Sequence, residues 1–259
     1  MSVLTYLENI EKDLRLSQNE KDSIETSINT LKSRLNSYFE NEITDILVFG
    51  SYKRHTNLCR KADNNSDVDV MVVFVDFGYK PQTYIDKLKR FMNSKYSSSE
   101  IYQSNPCAIL ELHHIKFELT PAIWLFNKTY KIPDKQSSYS DWLTTEPFYL
   151  DDLSSNKSHV RYRQVSRLVK YWNCLNNKYF ASYELEKRVL TTTLYCFSEN
   201  LKDNLFQVLD NIYIQYDYPQ YVKDYISKTK EIIKFIKENE KDYPITSENK
   251  IKSLFRELY

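Results

Sequence analysis

Glycine is almost missing from this chain, with 2 residues in 259. Cysteine is sparse too: Cys59, Cys107, Cys174 and Cys196 are scattered, with no CxxC pair. That spacing excludes a disulfide frame and a zinc knuckle, and it reads as reduced, packed thiols. No charge sign dominates. With 36 Lys and Arg against 35 Asp and Glu the net charge is +1, so any basic site for an anionic ligand has to be local. No apolar run reaches the ~18–20 residues of a membrane span. The first residues, Met1-Ser2-Val3-Leu4-Thr5-Tyr6, have neither a basic region nor an apolar signal core. A cytoplasmic protein without a membrane partner is expected. With a net charge near zero and no obvious apolar surface helix, a monomer is the expected state. Internal repeats and low-complexity tails are also lacking. What remains, 41% hydrophobic and 27% charged residues, is ordinary for a globular protein with a sizeable core.

The local signals arrange themselves in order. Ser17-x-x-Glu20 has the form of a capping box, and Ile24, Ile28, Leu31 and Leu35 recur at steps of 4, 3 and 4. The spacing predicts a long amphipathic helix over 18–39. Strands are predicted at 44–50 and 67–75, with a polar loop from Lys53 to Ser66 between them. Pro81 opens a helix at its favoured first position, with Tyr84, Leu88 and Phe91 on the buried face. Two more strands are predicted at 107–112 and 115–120. Residues 127–159 show no clear period, and short helical turns are expected there. From about Val160 the pattern is helical, with further helices near 182–200, 219–238 and 247–257. The fold class is α+β: a mixed-sheet lobe within residues 1–155 and a helical lobe over 156–259, with the N-terminal helices bridging them.

One of the two glycines is Gly50, in Val48-Phe49-Gly50-Ser51. It ends an apolar run, where the backbone needs positive φ or a close approach to a ligand. Asp67 and Asp69 then open the run Asp67-Val68-Asp69-Val70-Met71-Val72-Val73. Strand side chains alternate, so both carboxylates point to one face. Two like charges at the head of an apolar strand are costly unless a cation neutralises them. Glu118 is a third acid on a later strand, facing opposite to Phe117 and Leu119. Hard oxygen donors of this kind suit Mg²⁺ or Mn²⁺, and a pair of such ions can clamp an in-line phosphoryl displacement. Taken singly, each feature also reads as an ordinary turn, loop or edge-strand charge; their combination is what points to a metal site.

The combination of Gly50-Ser51, Arg54-x-Thr56, Asp67-x-Asp69-Val70 and Phe117-Glu118-Leu119-x-Pro121-Ala122 resembles the DNA polymerase β-like nucleotidyltransferase superfamily. It is most similar to the bacterial cyclic GMP–AMP synthase and DncV-like branch (CD-NTases). Asp141-Trp142-Leu143 with Pro147, Val169-Lys170-Tyr171-Trp172 and Ser182-Tyr183-x-Leu185-Glu186 resemble further motifs of that family, so the likeness spans roughly residues 1–200. His55 stands where the family often has glycine, and Glu118 where many relatives carry aspartate.

The resemblance implies a two-lobed polymerase β-like fold. It also implies a metal-dependent, template-independent enzyme that makes a cyclic or short oligonucleotide messenger from ATP and other NTPs. Asp67, Asp69 and Glu118 would be catalytic and hold two Mg²⁺ or Mn²⁺ ions. Gly50, Ser51, Lys170 and Ser182 would bind the triphosphate, and Tyr183 would stack on a base. A downstream effector in antiphage (CBASS) signalling would be the indirect partner. Two rivals remain open: nucleotidyl transfer to an RNA end, a protein or a small molecule, and a catalytically silent nucleotide- or RNA-binding module.

The remaining candidates have bland readings. His55, His113, His114 and His159 lack metal-ligand spacing and read as surface or capping residues. Trp124, Trp142 and Trp172 read as core. Arg163 and Arg167 share a helix face with Lys170 and read as solvated, the alternative being that they line a nucleotide cleft beside it.

Overall fold

The computed structural model describes residues 1–104, 106–137, 141–154, 159–195 and 200–258. Their contacts form two compact units. One comprises Leu16–Asn57 and Asn65–Asp151; the other comprises Met1–Arg15, Leu58–Asn64 and Asp152–Tyr259. The division therefore differs from a single cut near residue 155: the first helix, α1 (Val3–Asp13), counts with the C-terminal helices.

The sheet unit begins with α2 (Gln18–Phe39). Its cap is the box read from the sequence: the Ser17 side chain accepts from the Glu20 N–H, and Glu20 reaches back to the Ser17 N–H at 2.7 Å. The predicted stripe, Ile24, Ile28, Leu31 and Leu35, is buried. Next come β1 (Ile43–Phe49), the short α3 (Gly50–Lys53), β2 (Asp67–Phe74) and α4 (Pro81–Lys95). The strands β3 (Glu100–Ser104), β4 (Cys107–Glu111), β5 (Lys116–Phe126), β6 (Thr129–Pro133) and β7 (Trp142–Thr145) complete the sheet. Its order is β1-β2-β5-β4-β3, with β6 on β5 and β7 on β6. Only β2 and β5 run parallel among these pairs, which makes the sheet mixed.

The two faces of β2 have different work. Val68, Val70, Val72 and Phe74 pack with α2 and α4 residues such as Leu31, Leu35, Tyr84 and Leu88 in the main core. Met71 and Val73 belong to a smaller cluster with Ala122 and Tyr130 on the opposite face. Alternation then puts Asp67 and Asp69 on that second face, away from the helices.

Residues 127–159 differ from the expected helical turns. Their described residues carry β6, β7 and one short helix, α5 (Tyr149–Ser154). The β5–β6 connection is a two-residue hairpin loop with φ +42° at Asn127 and +63° at Lys128. Two left-handed residues match strand twist, and Asn-Gly is their usual signal. Here Lys128 stands in the glycine's place and hides the turn.

The helical unit holds α1, α6 (His159–Leu175), α7 (Ser182–Tyr195), α8 (Leu201–Asp210), α9 (Gln220–Asn239) and α10 (Pro244–Leu254). Ser2 caps α1 by accepting from the Thr5 N–H at 3.1 Å, and Val3, Tyr6, Leu7 and Ile10 form its buried stripe. Trp172 is fully buried, and its indole N–H donates to Thr229 at 3.0 Å. Trp142 is half-buried with its ring edge on Tyr84, whereas Trp124 is 58% exposed, contrary to its reading as core. Trp124 lies near the end of β5, where the buried pattern of that strand gives way to solvent.

On the basic face of α6, Arg167 and Lys170 are not solvated, while Arg163 is half-buried. Arg167 is buried and donates from Nε to Glu11 of α1 at 2.7 Å, and Arg15 donates to the same carboxylate at 3.1 Å. Burial works against the Glu11 charge, but the two guanidinium groups outweigh it and hold its pKa below the usual carboxylate range. Lys170 is likewise buried and ion-paired with Glu186, which also accepts from the Tyr162 hydroxyl at 2.9 Å. Cys59, Cys107 and Cys174 are free thiols, as read from the sequence, and Cys196 lies outside the described residues. Among the described residues no helix is long and apolar enough to cross a membrane.

Candidate active site

The site is built by one parallel strand pair. In the β2–β5 register Asp67 lies beside Lys116 and Asp69 beside Glu118. Side chains at matched positions in adjacent strands share a face, so all four project on the face opposite α2 and α4. The three sequence-predicted acids are thus brought together. The Asp67 and Glu118 carboxylates both contact the Lys116 ammonium.

On the other side of β2, Phe49 pairs with Asp69, and the chain turns at the next residue. Gly50 has φ +70°, and a Cβ on it would lie 1.8 Å from Asp69 Oδ2 and 2.7 Å from Asp69 Cγ. The positive φ anticipated for this glycine is present, and the close approach is made by Asp69 rather than by a ligand. The backbone takes a left-handed turn, and the Asp69 carboxylate fills the volume a side chain would need. Ser51 follows in α3. Its carbonyl accepts from the Thr56 N–H at 2.9 Å, which closes the loop, and Thr56 is fully buried. Arg54 is buried and pairs with Asp151 at 3.3 Å, while Lys53 reaches the same carboxylate at 3.2 Å. His55 is exposed with φ +56°, so it adopts a conformation that glycine would take more easily. His113 and His114 are also exposed, and the side chain of His159 is not described. His114 Nε2 lies 2.9 Å from the Ser27 hydroxyl.

Gly50→Ala is expected to lose about 1–2 kcal/mol of stability from left-handed strain, and more from displacing Asp69. Urea denaturation measures the first effect and metal-dependent nucleotide incorporation the second. A variant unchanged in both would show that the close approach has no consequence.

Burial and the neighbouring Glu118 charge push the Asp67 pKa up to about 6, against the pull of Lys116. Lys116 lies 2.8 Å from Glu118 Oε1 and 3.3 Å from Asp67 Oδ2. Burial opposes its charge, yet Glu118 and Asp67 prevail and raise its pKa. The sequence reading passed over this lysine. The signal was present: Lys116 stands two residues before Glu118 and therefore on the same strand face. Among the described residues no group of three or more His, Cys, Asp or Glu side chains is disposed to hold a metal ion as it stands. An ammonium already lies between two of the carboxylates. The donor set nonetheless fits a divalent cation, because the oxygens are hard, anionic, converge from adjacent strands and repel one another.

Three of the predicted residues belong to the helical unit. Ser182 opens α7 and is exposed, Tyr183 is 46% exposed, and Lys170 is occupied by Glu186.

Residues 1–155 match the family described as the Second Messenger Oligonucleotide or Dinucleotide Synthetase (SMODS) domain. This chain belongs to the SMODS family. The match covers the whole sheet unit together with α1. A protein from Bacillus cereus named probable cyclic nucleotide synthase is 25% identical over 189 residues, which is 56% of this chain and 55% of that protein. The matched stretch thus spans about half the length of that relative. GTP-bound DncV from Vibrio cholerae has a TM-score of 0.77 at 11% identity, covering 99% of this chain and 96% of its own. CdnC from Escherichia coli, solved with ATP, has a TM-score of 0.73 at 13% identity, covering 100% and 99%. These solved structures establish the shared α+β fold: a mixed sheet with a helical C-terminal region.

Proposed function

We propose that this SMODS protein is a metal-dependent, template-independent nucleotidyltransferase that joins NTPs into a cyclic di- or oligonucleotide. The observation that carries this reading is the seating of Asp69 against Gly50 while Asp67 and Glu118 converge on the same sheet face. Bound Mg²⁺ or Mn²⁺, two ions by family resemblance, would supply activation of the attacking hydroxyl and charge neutralisation at the α-phosphate.

The chain's own residues account for the rest. Asp67, Asp69 and Glu118 would hold the ions. The Gly50 turn fixes the Asp69 carboxylate without an intervening side chain, and Ser51 offers its hydroxyl to the triphosphate. A 2′ or 3′ hydroxyl oxygen forms the new bond to the α-phosphorus, and the bond from that phosphorus to the α–β bridging oxygen breaks. The hydroxyl proton passes to a site carboxylate, and pyrophosphate leaves. DncV was solved with GTP and CdnC with ATP, which supports purine nucleoside triphosphates as substrates. From the helical unit, family resemblance assigns Lys170 and Ser182 to phosphate and Tyr183 to a base. Lys170 would have to share its charge with Glu186. The product would act on a nucleotide-activated effector in antiphage signalling, in the cytoplasm.

Incubation with labelled NTPs and Mg²⁺ or Mn²⁺, followed by mass spectrometry, tests the reading. A cyclic oligonucleotide is the expected product. Label found only on an added RNA, protein or small acceptor would replace this reading with the transfer reaction. NTP binding without any product would leave a binding module.

A further inference from the structure

We infer that Lys116 is a built-in counter-ion that a divalent metal has to displace, so that the metal loads together with the nucleotide rather than before it. The inference rests on the proposed role of the acidic trio and adds to it the control of metal entry.

The placement of Lys116 is fixed by backbone register. It sits on β5 beside Asp67 of β2 and two residues before Glu118, so it shares their face by strand alternation. Its ammonium lies within 3.3 Å of both carboxylates, and its side chain is only 13% exposed. A solvated surface lysine would lie free of both acids. Here the positive charge occupies the volume between two of the three acids, which is where a metal's charge would be most stabilised. A divalent ion bonded to carboxylate oxygens at about 2.0–2.1 Å takes over the same lone pairs. An ammonium left beside it would meet a like charge in a partly desolvated site.

Two consequences follow. Without nucleotide, the lysine competes with free metal and weakens its binding. With nucleotide, the triphosphate brings negative charge that can accommodate both the metal and the released ammonium. Nucleotide and metal then strengthen each other's binding by the same factor, as linkage requires.

The test is direct binding of Mn²⁺, followed by loss of the free-ion electron paramagnetic resonance signal, with and without a non-hydrolysable NTP. Wild type is compared with Lys116→Met and Lys116→Arg. Without nucleotide, Lys116→Met should bind Mn²⁺ about tenfold more tightly than wild type, or about 1.4 kcal/mol. Lys116→Arg keeps the charge and should stay close to wild type. The strengthening of Mn²⁺ binding by the nucleotide should shrink in Lys116→Met. Circular dichroism checks that each variant is folded, and Mn²⁺ should raise the melting temperature of Lys116→Met more than that of wild type.

Should Lys116→Met bind Mn²⁺ no more tightly than wild type, the counter-ion role is overturned while the acidic trio stands. A Lys116→Met protein that folds only when Mn²⁺ is present supports the role, since the metal then replaces the missing charge. One that stays unfolded even with Mn²⁺ overturns it. The double variant Asp67→Ala, Asp69→Ala is the separate control: if it binds Mn²⁺ as wild type does, the trio is not the metal site, and both readings fall.

Discussion

Asp69→Asn is expected to lower nucleotide incorporation by about 10³-fold or more, with the protein folded and still able to bind NTP. Asp69 is the acid seated against Gly50. Its carboxylate lies where a Gly50 side chain would be, and it is matched in register with Phe49 on one side and Glu118 on the other. Asparagine keeps the shape and removes the charge, so packing survives while the hard anionic donor is lost. A factor of 10³ corresponds to about 4 kcal/mol at 1.36 kcal/mol per decade, within the several kcal/mol that metal-assisted charge stabilisation supplies. Single-turnover incorporation of labelled NTP at saturating Mg²⁺ and Mn²⁺ measures it. Activity within tenfold of wild type in both metals would remove Asp69 from the reaction.

The second large effect falls on stability. Glu11→Gln should destabilise the protein by about 3–5 kcal/mol, because it leaves the buried Arg167 guanidinium without its anion. Glutamine keeps the length of the side chain and one carbonyl acceptor, so the loss reports the charge. The same pair gives a pH dependence. The Glu11 pKa is lowered in the folded protein. Its contribution is therefore complete above the unfolded value of about 4.3, and it is lost as pH falls through the lower folded value. Urea denaturation between neutral pH and about pH 3 should show wild type converging toward Glu11→Gln at the acid end. A constant gap between the two across that range would contradict the assignment.

Neither effect is equally legible in the sequence. The acidic trio could be read because its members lie in short motifs on strands whose alternation fixes their face. Gly50 stood out because glycine is so rare here, and its left-handed turn matches that expectation, whereas its contact with Asp69 came only from the fold. The Ser17–Glu20 cap and the α2 stripe were read correctly for the same reason: each residue involved lies three or four positions from the next. The Glu11–Arg167 pair was invisible, since its partners are 156 positions apart. Sequence periodicity placed Arg167 on a basic helix face and could not show that α1 covers it. Trp124 was misread because composition ranks tryptophan as buried, while strand position decides whether anything packs over it.

By itself, the sequence determined the α+β class, the helix that starts at Gln18, and the strands and sheet face that carry the three acids. These follow from local rules: alternation, capping, and the cost of placing like charges on an apolar strand. Only the tertiary structure decided that Lys116 lies between Asp67 and Glu118, that Lys170 and Arg167 are buried with acidic partners, and that α1 groups with the C-terminal helices. The physical reason is that charge pairing and burial act through space. They depend on which surfaces meet once the chain has folded, and no pattern within a few residues encodes that meeting.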